Sequence, residues 1–161
     1  MATWGWLRRS ALPALATALI GTMVVWLSPP PAPASSDPAL GLGASDPVPT
    51  RVMSVLRRAC FDCHSNQTRW PWYARVPPSS WLVLRDVERG RGQVNFSRWG
   101  LYNAFDRADI LDRVCELVSN GKMPLWPYRV MHAEARLDDT DVATLCDWTA
   151  AEAARLVTGG T

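Results

Sequence analysis

Cys60-Phe61-Asp62-Cys63-His64 is the one short run in this 161-residue chain whose residue types and spacing could do chemistry without distant partners. Cysteines three apart share one face of a helical turn. Two sulfurs placed in this way can bond the two vinyl groups on one edge of an iron porphyrin. An imidazole directly after them then lies under the ring, where a nitrogen reaches the iron. C-x-x-C-H is the attachment signature of c-type haem. The run therefore predicts one covalent haem c, with thioethers at Cys60 and Cys63 and His64 as the proximal iron ligand. A thiol–disulfide redox pair is one competing reading, but no thioredoxin-like βαβ pattern surrounds the cysteines. A four-cysteine zinc site is another, but Cys115 and Cys146 lack the short knuckle spacing that such a site needs. No Ser-His-Asp-type or paired-carboxylate arrangement emerges from the remaining residues, so no catalytic residue is assigned.

The opposite face of the iron needs a ligand, water or nothing. Met123 is the first candidate for this distal position. It follows a predicted helix end, in Gly121-Lys122-Met123-Pro124, where proline restricts the backbone and steadies the thioether. Met with His raises the reduction potential and favours electron transfer over gas binding. His132 is the other histidine in the chain, and it would give a bis-His iron. Its blander role is to pin a loop by bonding backbone or a haem propionate. Met53 and Met131 are weaker candidates. Propionates want cationic donors, and Arg69, Arg75, Arg91 and Arg98 lie in the right region of the chain. Met123 could also simply pack beside the ring. The iron would then be five-coordinate, in a gas or peroxide sensor or an enzyme.

The elements that must position these groups read as helices. Thr50 can cap a helix through Ala59, with Val52, Val55, Leu56 and Ala59 on one face, delivering the cysteines. Trp70-Pro71-Trp72-Tyr73 reads as a stiff wall beside the ring. Ser79 or Ser80 caps a helix from Trp81 to about Arg89, ended by Gly90-Arg91-Gly92. Asn95 to Trp99 is a polar–aromatic turn. Asp106 caps a helix over Arg107–Ser119 with an apolar stripe of Ile110, Leu111, Val114, Leu117 and Val118. Asp138 or Asp139, with Asp141 in capping-box position, starts a last helix to about Val157. Val142, Leu145, Thr149 and Leu156 are its candidate buried side. Cys115 and Cys146 fall on the apolar sides of these last two helices. In an oxidising compartment they could form a disulfide, and otherwise they pack as thiols.

The run CHSNQTRWPWY, then P-x-SW, DVERGR and NFSRW, continued by GKMPLWPY and HAEARL, resembles the bacterial haem-binding domain family of single-haem, cytochrome c-like proteins. The resemblance spans about residues 50–150. It implies an all-α fold, a small cytochrome c-like helical domain wrapped around one covalent haem. It also implies a periplasmic or membrane-tethered protein. On matching positions Cys60, Cys63 and His64 carry over as haem ligands. Cys115 and Cys146 lie outside the family pattern.

The organisation expected is a signal peptide or membrane anchor over residues 1–34, a Pro/Ala/Ser-rich linker over 35–49 and a haem-binding domain over 50–158. Arg8 and Arg9 precede an apolar run, Ala11 to Leu27, and Ala32-Pro33-Ala34 offers a cleavage site. Either fate of this segment places the rest outside the cytoplasm, in the periplasm, free or tethered to the inner membrane. The partners expected are redox proteins and the cytochrome c maturation machinery. The net charge of +2 comes from Arg8 and Arg9, since the two signs balance from Ser35 onward, and nucleic acid is excluded. Acidic residues gather after Asp106, which could orient docking to a partner. Tryptophan supplies nine residues, six of them at or after the motif, and a flat apolar ligand would use them as walls.

Overall fold

A computed structural model describes residues 13–23 and 35–159. Most of the expected targeting segment, residues 1–12 and 24–34, lies outside the described residues. Among the described residues every regular element is helical, in line with the all-α expectation. None of their helices is long and apolar enough to cross a membrane. The helices used below are α1 (Thr50–Ala59), α2 (Phe61–His64), α3 (Ser79–Gln93), α4 (Ala104–Ser119), α5 (Trp126–Met131) and α6 (Asp139–Thr158).

The chain divides into two units. The first joins the described part of residues 1–32 to Trp70–Leu84. In it, residues 13–23 form an exposed helix. Pro71 leads into a 3-10 turn over Trp72–Arg75. The Ser79 hydroxyl donates to the carbonyls of Tyr73 at 2.8 Å and Val76 at 2.5 Å, tying that turn to the start of α3.

The second unit, Pro33–Arg69 with Arg85–Thr161, holds the core and the site. α1 buries the expected face, Val52, Val55, Leu56 and Ala59. Its first residue is Thr50 itself, preceded by Pro49, and no side chain caps it. Thr50 already has helical dihedrals, so it is the first member of the helix and not its cap. α4 likewise starts earlier than expected. Asn103 is its cap and accepts from the Asp106 N–H at 2.9 Å, while the Asp106 carboxylate accepts from the Asn103 amide at 2.8 Å. α6 opens with the expected capping box between Asp138 and Asp141. It buries Leu145, Trp148, Thr149, Ala153 and Leu156. α4 and α6 make the most extensive helix pair. Cys115 of α4 and Cys146 of α6 are joined in a disulfide, with Cα atoms 4.8 Å apart.

Residues 35–49 are not an extended linker. Pro38–Leu40 form a 3-10 turn capped by Asp37, and Leu42 is 1 % exposed in the common core. Asp46 fixes this segment. Its buried carboxylate accepts from Trp99 Nε1 at 2.5 Å, Arg107 at 3.1 Å and Arg155 at 2.8 Å. Composition misleads here, because one fully buried leucine and one well-partnered acid suffice to dock a stretch that is otherwise small and polar.

Candidate haem site

α1 runs directly into the cysteine turn. The Cys60 N–H donates to Leu56 O at 2.9 Å, and Cys60 O accepts from Cys63 at 3.1 Å and His64 at 2.9 Å. The run is thus a single closed helical turn, with Cys60 and Cys63 on one side. Its interior acid, Asp62, is 6 % exposed. It accepts from the Arg69 N–H (3.0 Å), Arg69 Nε (3.2 Å), an Arg69 terminal nitrogen (3.0 Å) and the Tyr128 hydroxyl (2.7 Å). Burial alone would raise its pKa, but these donors outweigh it and hold the carboxyl below its ordinary range.

The second half of α3 backs the turn. The helix does not end at Gly90, as the glycines suggested, but continues to Gln93. Gly90 is needed for contact. A Cβ there would meet the Cys63 carbonyl oxygen at 2.7 Å, so the two backbones approach as only glycine permits. Arg91 donates from Nε to Ser65 O and from a terminal nitrogen to Thr68 Oγ1, both at 2.9 Å. His64 Nδ1 faces Val94 O at 3.4 Å. A proton on Nδ1 directed at that carbonyl leaves Nε2 with its lone pair, the form that binds a metal. Burial lowers the His64 pKa against the raising effect of the Val94 and Gly90 carbonyls, which favours the neutral ring.

The runs that carried the family resemblance lock onto one another around this turn. Asn66 N donates to Ser97 Oγ at 3.0 Å, and Asn95 Nδ2 donates to Asn66 Oδ1 at 2.8 Å. Thr68 Oγ1 donates to Asp62 O at 2.7 Å. Phe61 stacks on Phe96 with ring centroids 5.5 Å apart.

In front of the turn is a largely apolar cavity of about 730 Å³, within the range of about 300–1,000 Å³ usual for cofactor sites. Cys60, Cys63 and His64 form part of its wall, and Met123 another part. The α4 stripe is shared. Leu111 is buried in the core, Val118 is buried and also borders the cavity, and Ile110, Val114 and Leu117 line the cavity. Asp106, Asp109 and Arg113 continue the same face of the helix at its edge. An apolar stripe broader than one packing partner can cover is what a helix between a core and a ligand would carry.

The Met123 loop is fixed by the end of α4. Asn120 is the C-cap and Gly121 has φ +63°, the left-handed turn that glycine suits. Lys122 N donates to Leu117 O at 2.9 Å and Gly121 N to Val118 O at 3.1 Å, the Schellman pair. Met123 N also donates to Leu117 O, at 3.1 Å. One carbonyl of a cavity-lining residue therefore anchors the start of the methionine loop.

Several sequence expectations land elsewhere. His132, Met53 and Met131 do not line the cavity. His132 stacks on Tyr128 at 4.3 Å and its Nδ1 lies 3.2 Å from Glu134. Of the six tryptophans expected as walls, Trp70, Trp72 and Trp81 belong to the first unit, and Trp99, Trp126 and Trp148 of the second unit do not line the cavity. Trp99 is fully buried in the core, while Trp72, Trp81 and Trp126 are 73 %, 67 % and 69 % exposed. The walls come instead from aliphatic residues, prolines, Phe96, Tyr102 and Tyr128. The arginines of the second unit that line the cavity are Arg85, Arg89 and Arg113, not Arg69, Arg91 or Arg98. Sequence reasoning missed the parts played by Gly90, Arg91, Val94 and Tyr128. The runs DVERGR and GKMPLWPY, which hold Gly90, Arg91 and Tyr128, were the signal available for three of them.

The donor set suits an iron porphyrin. Two thiols and an imidazole stand on one turn, a thioether stands on the same cavity, and the lining between them is apolar. Both thiols are held protonated, Cys60 pushed up to about 12 and Cys63 to about 11, chiefly by burial. A thiol redox pair needs the opposite shift. The four cysteines do not converge, since Cys115 and Cys146 are bonded to each other.

No curated protein and no solved structure matches the chain. The family model described as "Haem-binding domain" matches residues 21–151, reaching further toward the N-terminus than residue 50, where the resemblance was expected to begin. That match takes in the cysteine turn, the α3 backing, the α4 face and the Met123 loop, and the chain belongs to the haem-binding domain family.

Proposed function

We propose that this haem protein is an exported, single-haem c-type cytochrome that carries electrons. Cys60 and Cys63 bind the porphyrin through thioethers, His64 is the proximal iron ligand and Met123 the distal one. The carrying observation is that these four side chains share the wall of one apolar cavity. When bound, the haem supplies reversible one-electron chemistry. The chain's own residues do the rest. α3 and Val94 orient His64, the Schellman turn steadies Met123, and the α4 face keeps water from the ring. A soft thioether opposite imidazole stabilises ferrous iron and raises the potential. Arg8, Arg9 and the apolar run after them support export, and with it attachment outside the cytoplasm.

The test is the full-length protein made with a cytochrome c maturation system. Its intact mass should exceed that of the polypeptide, whole or cleaved after Ala34, by one haem, and alkylation should find no thiol at Cys60 or Cys63. The reduced wild type should bind carbon monoxide slowly or not at all, and Met123→Ala should bind it at once. Rapid binding by the wild type would replace the electron carrier with a five-coordinate sensor or enzyme.

A further inference from the structure

The pattern that attaches a c-type haem leaves the two residues between its cysteines free, and here one of them is a buried acid. We propose that Asp62, held by Arg69 and Tyr128, tunes the reduction potential of the iron through its fixed negative charge. The inference rests on the cytochrome reading above and adds a role for a residue that neither bonds the porphyrin nor binds the iron.

Asp62 sits inside the attachment turn, two residues before the proximal histidine, and is 6 % exposed. Four hydrogen bonds saturate its two oxygens, at 2.7–3.2 Å. Three come from Arg69, so shaping the turn is part of its work. A neutral Asn could accept the backbone bond, but it could not supply a charge. Oxidation would add one positive charge to an iron held by His64, two residues along the same turn from this group. The attraction between charges grows as the surrounding dielectric falls. A buried carboxylate therefore stabilises the ferric state and lowers the potential.

Arg69 works in the opposite direction, but incompletely. Its side chain is 62 % exposed against 8 % for that of Asp62. Solvent and salt screen the outer charge more than the inner one, so the pair does not cancel at the iron. Tyr128 completes the device. Its ring lines the cavity while its hydroxyl donates to the carboxylate. It links the ring surface to the charge without carrying charge itself.

The experiment compares reduction potentials by spectroelectrochemistry in the haem-loaded protein. Asp62→Asn should raise the potential, Arg69→Gln should lower it, and Arg69→Lys should stay near wild type. Tyr128→Phe should shift it less than either charge change. A merely structural role would loosen the turn in both charge variants and move both potentials the same way. Shifts of the same sign, or none, would overturn the inference. Mass and optical spectra of each variant confirm that haem and axial ligands are retained. Wild type lacking covalent haem would end the cytochrome reading and this inference with it. Haem present with potentials that fail to split would end this inference alone.

Discussion

Adding one methyl group at Gly90 should destabilise the domain, although Gly→Ala inside a helix ordinarily does the reverse. Where the conformation is already helical, the exchange stabilises by about 0.4–1 kcal/mol through the unfolded chain. Gly92, two residues on in the same helix, would have nothing within 4 Å of an added Cβ and should show that gain. At Gly90 the new carbon would sit 2.7 Å from the Cys63 carbonyl oxygen, 3.2 Å from its carbon and 3.3 Å from Cys63 Cβ. The oxygen contact falls about 0.7 Å short of ordinary separation, and such overpacking costs about 1–3 kcal/mol. The obstacle is backbone in a closed turn, so it cannot rotate away. Gly90→Ala should then lose about 1–2 kcal/mol against wild type, and about 2–3 kcal/mol against Gly92→Ala. For a domain of this size that is a fall in Tm of about 4–8 °C from wild type. Urea and thermal unfolding of the three proteins, followed by circular dichroism, measure it. A Gly90→Ala protein as stable as Gly92→Ala would refute the claim that α3 and the cysteine turn touch backbone to backbone.

Leu111 is fully buried between α4 and the core, and Leu111→Ala should cost about 2–5 kcal/mol in the same unfolding assay. Replacing Cys115 and Cys146 together by Ser should cost about 3–4 kcal/mol, read as a lower urea midpoint that reductant no longer changes. Asp62 and Asp141 are both held below the ordinary carboxyl value of 3.8, because their arginine partners and hydrogen bonds outweigh burial. As pH falls, the unfolded chain takes up these protons before the folded one. The stability they supply is complete above about pH 4 and is lost as pH falls through the depressed folded values. Asp141→Asn should flatten that acid limb, and an unchanged slope would remove Asp141 from the account.

The cysteine turn was legible because its chemistry is local. Cys60, Cys63 and His64 lie within five residues, and one helical turn suffices to arrange them. The α1 face and the α6 capping box were legible for the same reason, since periodicity and caps act over a few residues. Met123 could be named as a candidate because a glycine and a proline bracket its loop.

What the sequence could not decide depends on which surfaces meet. A glycine pair reads as a helix end unless another backbone packs directly against it, and at Gly90 the Cys63 carbonyl does. The α4 stripe reads as a single core face, yet packing divides it, with Leu111 inside, Ile110, Val114 and Leu117 on the cavity and Val118 serving both. Tryptophans read as a haem wall by size and flatness, but burial is settled by neighbours, and Trp99 was claimed by Asp46. Local chemistry is written along the chain. The contacts that join residues 46 and 99, 63 and 90, or 62 and 128 exist only once the helices have packed.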